Sequence, residues 1–187
     1  SILASIFENR DLLRKKITKQ PIHSKGWAVT PIDLPGTNNS SAIADAVGYD
    51  TNEGEISDFI QNEIDGLGKK QKVDEFGLKE WENEKDVWDK ITKSDLCLYV
   101  VDIAQKVDSR RKVDRRRKNV RAHFQLINGA KVPILTLLNR TKDDSVYRQE
   151  WLEVLKTVGE YYPIDCDAWV HTRGDAVRVF EAIEQKL

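Results

Sequence analysis

The chain has 187 residues, 40% hydrophobic and 33% charged, with a formal net charge of −1. This balance predicts a single folded domain and excludes general disorder, and we expect a cytoplasmic protein because no apolar run reaches the roughly 18 residues that cross a bilayer and no signal peptide is recognisable. Cys97 and Cys166 lie in apolar stretches without metal-ligand spacing, so neither a zinc site nor a disulfide framework is expected.

The first half of the chain predicts a helix, a strand, a polar insert, a second helix and a second strand. Residues 2–16 carry apolar residues at helical spacing, and residues 27–32 form an apolar, β-branched run that ends at Asp33. Residues 37–74 are rich in Asn, Ser, Gly and charge, so we expect a long polar insert that is mobile and partly helical. A helix is predicted at 80–92, and the continuous apolar run 96–103 predicts a fully buried central strand.

The second half continues this alternation. A long basic helix is predicted to end at Gly129, a second buried strand at 132–138, a helix around 151–158, a short strand at 167–170 and a last helix after Gly174. Alternating strands and helices are typical of an α/β fold in which helices cover both faces of a mostly parallel sheet. We therefore expect one three-layer domain over residues 1–187.

Three predicted strands end in polar, turn-forming residues, in the segments 33–36, 139–142 and 171–174. In an open parallel sheet, ligands bind beyond the carboxyl ends of the strands. The three segments are therefore expected to line one edge of the sheet and to form a common site.

The segments occur in the order and approximate spacing found in a known GTPase family. Asp33-Leu34-Pro35-Gly36 matches an Asp-x-Pro-Gly loop, Asn139-Arg140-Thr141-Lys142 stands where Asn-Lys-x-Asp is expected, and His171-Thr172-Arg173-Gly174 is similar to a Ser-Ala-Lys loop. The chain thus resembles the Era-like branch of the translation-factor-related GTPases, nearest to bacterial GTPases with a C-terminal region of unknown function. The resemblance implies a P-loop fold, a guanine nucleotide as ligand and slow GTP hydrolysis.

The resemblance also implies roles for individual residues. Asp33 would hold Mg²⁺ through water, and the Gly36 amide would meet the γ-phosphate of GTP. The hydroxyl of Ser1, or the residue before it, would reach Mg²⁺. Thr18 would be the threonine that closes over the metal, with Ser24 and Thr30 as alternatives. The base would be bordered by residues of the two later loops: Asn139, Arg140, Thr141, Thr172 and Arg173.

Two parts of the family pattern are incomplete. The phosphate-binding motif Gly-x-x-x-x-Gly-Lys-Ser/Thr and its strand are not in the sequence, so we expect an upstream segment or another strand to fill that position. Arg140 replaces the lysine of the guanine loop, and Lys142 replaces a carboxylate that accepts hydrogen bonds from guanine. Asp143 or Asp144 would supply that carboxylate if the loop shifted by a residue.

Other functions remain open at this level. A pseudo-GTPase would keep the sheet without turnover and bind a protein or RNA through the insert or the basic segment 106–121. That segment has nine Lys or Arg, which suit phosphates but also suit a solvated helix face, and no aromatic residue interrupts it before Phe124. A metal-dependent nuclease would use Asp33, Glu63 and Lys70. The histidines show no metal-ligand or catalytic spacing.

Overall fold

A computed structural model describes residues 22–24, 27–30, 32–48, 53–70, 75–105, 113–140, 147–166 and 173–187. In chain order its elements are β1 (Ile22–Ser24), β2 (Trp27–Val29), α1 (Ser40–Val47), α2 (Glu53–Asn62), α3 (Ile64–Lys70), α4 (Glu75–Thr92), β3 (Cys97–Asp102), α5 (Val113–Gly129), β4 (Ile134–Asn139), α6 (Arg148–Lys156), β5 (Ile164–Asp165) and α7 (Arg173–Lys186). The helix predicted at 2–16 and the strand predicted at 167–170 lie outside the described residues.

Three parallel strands form the main sheet, in the order β3-β4-β5. The register of β3 and β4 runs from Cys97 opposite Ile134 to Asp102 opposite Asn139. Strands β1 and β2 form a separate antiparallel pair, so β2 does not pair with the parallel strands. The predicted α/β class is confirmed at this coarse level.

The prediction that residues 96–103 form a fully buried strand is wrong, and among the described strands β3 lies at an edge of the sheet. Val101 is 3% exposed, but its neighbour Val100 is 40% exposed. The central position belongs to β4, whose six residues are all buried. Within the described ranges, no strand pairs with the edge of β3 that faces away from β4, and this edge borders a cleft that leaves its side chains partly uncovered.

The side chains of β4 alternate between two core clusters. Ile134 and Leu138 join the main core cluster, which also contains residues of α4, α5 and α6. Leu135 and Leu137 point the other way and pack with Val179 and Ile183 of α7. No helix in the described ranges is both long and apolar enough to cross a membrane.

The insert at 37–74 contains helices α1, α2 and α3, which confirms its partly helical character. Its isoleucines Ile43, Ile60 and Ile64 are 0% exposed and belong to the main core cluster. Contacts join α1 to α5 and α3 to α4. A segment of polar composition therefore contributes a share of the core.

The packing of α3 on α4 depends on a glycine. A Cβ on Gly68 would lie 2.7 Å from Cγ of Trp81, whose side chain is 2% exposed, whereas a Cβ on Gly66 would meet nothing within 4 Å. The two glycines belong to one helix and differ in this contact, so they form a matched pair.

We expect Gly68→Ala to lower the free energy of unfolding by about 1–3 kcal/mol, because the buried Trp81 ring has to move. Gly66→Ala should raise it by up to about 1 kcal/mol, because alanine favours the helix. Urea denaturation of the two variants tests this. Equal effects of the two substitutions would contradict the packing of α3 against Trp81.

Candidate functional site

A cleft of about 720 Å³ lies along the free edge of β3. One wall is formed by Thr30 and the segment 32–37, and the other is formed by the chain from Lys93 to Val100. Apolar side chains from both core clusters reach it, including Trp88 and Ile127 from the main cluster and Leu98 and Ile183 from the cluster under α7. Three of the exposed large hydrophobic residues also line it, namely Ile32, Val100 and Leu187. The cleft is therefore a slot beside the sheet that is open to both of its faces.

The loop 33–36 forms part of the rim of this cleft. Asp33, Pro35 and Gly36 are exposed, and Leu34 packs against the main core cluster. A Cβ on Gly36 would meet nothing within 4 Å, so packing does not require glycine at this position. The Asp33 carboxylate and the backbone at Gly36 are thus accessible from the cleft.

Glu84 of α4 holds the chain that follows this loop. Its carboxylate is 3% exposed, and Oε1 accepts hydrogen bonds from the backbone N–H groups of Asn38 and Asn39, the latter at 2.6 Å. The other oxygen, Oε2, accepts from Trp88 Nε1 at 3.2 Å. Burial raises the pKa of Glu84 above its usual range, while the hydrogen bonds from Asn39, Asn38 and Trp88 oppose this shift by favouring the carboxylate.

His123 of α5 makes a second connection to the same segment. Its Nε2 lies 2.8 Å from Thr37 Oγ1, and its Nδ1 lies 2.9 Å from the Tyr99 hydroxyl on β3. Ser40 Oγ donates to Thr37 Oγ1 at 2.7 Å. Burial lowers the pKa of His123 to about 4, so the imidazole is neutral near pH 7 and both of its nitrogens are used.

The carboxyl ends of β3 and β4 bring Asp102, Asn139 and Arg140 together. Asp102 and Asn139 are register partners, and the backbone N–H of Ile103 donates to the Asn139 carbonyl. Arg140 Nε lies 3.5 Å from Asp102 Oδ1. The backbone of Arg140 has φ of 65°, in the left-handed region that is unfavourable for side chains other than Gly, Asn and Asp. This strain falls at the end of a buried strand, where functional residues are often found.

The sequence-predicted site residues therefore fall into separate groups. Asp33 and Gly36 line the cleft, whereas Asn139, which is 9% exposed, and Arg140 do not contribute to its lining. The backbone of Arg173 begins α7. Four predicted residues lie outside the described part of the chain, namely Ser1, Thr18, Thr141 and Thr172. The same holds for residues 142–144 and 171.

The alternative nuclease residues are not brought together. Glu63 follows α2 and Lys70 ends α3, and neither lines the cleft that contains Asp33. In the described segments, no group of three or more His, Cys, Asp or Glu side chains is arranged to hold a metal ion. Mg²⁺ usually takes one or two protein carboxylates and completes its shell with phosphate oxygens and water, so the exposed carboxylate of Asp33 fits it as a water-mediated ligand.

The basic segment is only partly described. The exposed cations Arg117, Lys118 and Arg121 lie on α5. Phe124, the first aromatic residue after them, is 4% exposed and packs against Tyr99 with ring centroids 5.0 Å apart. It therefore offers no stacking surface for a nucleic acid base.

Sequence reasoning missed Glu84 and His123. A signal for Glu84 was present, because it lies three residues after Trp81 and four before Trp88, on the apolar face of α4. A charged residue on such a face needs a partner. For His123 the sequence offers no comparable signal, since Thr37 is 86 residues away.

Comparison of the chain with protein-family profiles, with curated proteins and with solved structures finds no match.

The lowered pKa of His123 predicts a dependence of stability on pH. Between pH 6.5 and about 4 the unfolded chain binds more protons at His123 than the folded chain does. The contribution of the neutral imidazole to the free energy of unfolding is therefore complete above pH 6.5 and is lost as the pH falls towards 4. The loss amounts to roughly 3 kcal/mol at most. Glu84 acts in the opposite sense, because its pKa is raised on folding.

Urea denaturation at pH 4–7 should show this loss in the wild type relative to His123→Gln, in which Glu84 and the other two histidines are retained. Tyr99→Phe keeps the imidazole and should keep the pH dependence. Parallel stability profiles for wild type and His123→Gln would contradict the burial of a neutral imidazole.

Proposed function

We propose that the chain is the body of a GTP-binding switch domain with a P-loop-type, three-layer fold, which binds GTP with Mg²⁺ and hydrolyses it slowly. The proposal rests on the motif order noted above and on one structural observation, the cleft between loop 33–36 and β3. The resemblance implies a central strand, followed by the phosphate-binding loop, next to the strand that ends at Asp33. A slot lined from both faces of the sheet is the space that such a strand needs.

The residues present would then have distinct tasks. Asp33 would hold Mg²⁺ through a water molecule from the rim of the cleft, and the exposed backbone at Gly36 would donate to a phosphate oxygen. When bound, Mg²⁺ would neutralise charge on the phosphates. Asn139 and Arg140, with Thr141, Thr172 and Arg173, would border the base. The phosphate-binding amides would come from the loop that follows the strand in the slot.

A second candidate is an interaction module with the same sheet and no turnover. This candidate is favoured by the sequence of the guanine loop, where Lys142 replaces the carboxylate that would read guanine, and by the pairing of Arg140 with Asp102. The interaction module is also favoured by the hydrogen bonds that hold the chain after Gly36 to Glu84 of α4 and to His123 of α5. Such a module would bind its partner without nucleotide.

Nucleotide binding separates the two candidates. The measurement uses the protein at its native length, with its N terminus defined by mass spectrometry, and fluorescent GTP and ATP with and without Mg²⁺. The switch predicts Mg²⁺-dependent binding that prefers GTP. Asp33→Asn should weaken it by about tenfold or more, because the water-mediated Mg²⁺ ligand loses its charge.

Asp45→Asn is the matched control, since Asp45 is an exposed aspartate on α1 and should leave nucleotide binding unchanged. Absence of binding by the native-length protein would reject the switch and leave the interaction module. Binding that is insensitive to Asp33→Asn would reject the assigned metal ligand.

A further inference from the structure

The chain directly after loop 33–36 is fastened to the body of the protein at two points. We call residues 37–40 the strap, because they join the loop to α1. The backbone at Asn38 and Asn39 is held by Glu84 of α4, and the side chain of Thr37 is held by His123 of α5. The two contacts involve different helices and different atoms of the strap.

We infer that Glu84 and His123 are positioning residues for loop 33–36, which they keep on the rim of the cleft by fixing the strap. The consequence for nucleotide binding rests on the proposed function. The fastening itself does not depend on it.

Glu84 performs a task that the strap and α1 cannot perform locally. In a common capping arrangement, a Glu or Gln at the third residue of a helix accepts from the backbone N–H of the N-cap residue. In α1 the N-cap residue is Asn39, whose side chain makes no capping hydrogen bond, and the third helical residue is Ala42. The carboxylate of Glu84, supplied from α4, takes the Asn39 N–H instead. This explains why a carboxylate is retained at a site that is 3% exposed.

His123 fixes the strap through a chain of hydrogen bonds that reaches the sheet. Ser40 and Thr37 lie on one side of the imidazole and Tyr99 of β3 lies on the other. The ring also packs near Trp88, with centroids 6.0 Å apart, and Trp88 in turn donates to Glu84. The titratable groups around this arrangement lie on two sides. Tyr99, Cys97, Asp33, Lys93 and Asp95 line the cleft, and Lys79 and Glu80 of α4 lie beside Glu84.

The arrangement couples the loop to the helical insert. Because the strap ends where α1 begins, a displacement of loop 33–36 has to move α1 or break the contacts with Glu84 and His123. Ile43 and Ala44 anchor α1 in the core, so breaking the contacts is the less disruptive route. A ligand that reorganises the loop therefore acts against these two residues.

Native-state hydrogen exchange followed by NMR tests the inference in the nucleotide-free protein. In Glu84→Gln one carboxylate oxygen becomes an NH₂ group. This group faces a hydrogen-bond donor in either orientation of the amide, because the strap and Trp88 both donate to residue 84. Exchange of the Asn38 and Asn39 amides should therefore accelerate by about tenfold or more. Glu82→Gln is the control, since Glu82 is an exposed glutamate on the same helix and should leave these rates unchanged.

The contact between Thr37 and His123 is tested by the variants Thr37→Val and Thr37→Ser. The valine lacks the hydroxyl and should accelerate exchange in the strap by about three- to tenfold, whereas the serine keeps the hydroxyl and should restore the wild-type rates. If Glu84→Gln fails to fold, this pair decides the question by itself. Acceleration confined to residues 37–40, with the amides of β4 and α5 unchanged, is the expected result.

Unchanged strap exchange in both Glu84→Gln and Thr37→Val would overturn the inference. Uniform acceleration across the whole protein would also overturn it, because it would indicate a general loss of stability. Failure of the native-length protein to bind nucleotide leaves these exchange results intact, so the proposed function and the fastening are judged by separate measurements.

Discussion

The buried carboxylate of Glu84 is the constraint on which the region around the cleft depends. Removing a carboxylate from water is costly unless its oxygens accept enough hydrogen bonds. The three donors that satisfy Glu84 come from Trp88 on its own helix and from Asn38 and Asn39 in the strap. The position of the strap is therefore dictated by α4. Since α1 starts at Ser40, directly after Asn39, the contact of Asn39 with Glu84 decides where the helical insert begins and how Ile43 enters the core.

The sequence predicted those elements whose pattern is independent of their neighbours. The run at 132–138 is apolar except for Thr136, and β4 is indeed buried throughout. A similar run at 96–103 predicted β3 correctly as a strand but wrongly as a fully buried one, because an apolar run does not reveal how completely its neighbours cover the strand. The insert was predicted as polar and partly helical. Its isoleucines at positions 56, 60 and 64 carried the helical spacing, but their place in the main core depends on contacts with distant helices.

The candidate site shows the same division between local and distant information. Asp33, Gly36 and Asn139 were found because polar residues that end strands are visible in the sequence. The residues that hold their surroundings in place, Glu84 and His123, are joined to the strap across separations of 45 and 86 residues, which no local pattern reports. The left-handed backbone of Arg140 at the end of β4 is likewise a feature that no local pattern reports. Motif order therefore predicted candidate ligands, and the structure adds Glu84 and His123, which hold the chain directly after loop 33–36.

A fastened strap beside an open apolar slot limits how this domain would act as a switch. Sequence composition suggested that the stretch after Gly36 moves, yet its first residues are tied to two core helices by hydrogen bonds, one set of which involves a carboxylate. A ligand shifts such an equilibrium only by its difference in affinity for the two states, and a complete shift from one state to the other requires a difference of about 5.5 kcal/mol. Contacts of one phosphate with the Gly36 amide are worth less than that. A switch in this domain would therefore need differential contacts with the nucleotide beyond that of one phosphate with Gly36, because Glu84 and His123 hold loop 33–36 in place through the strap.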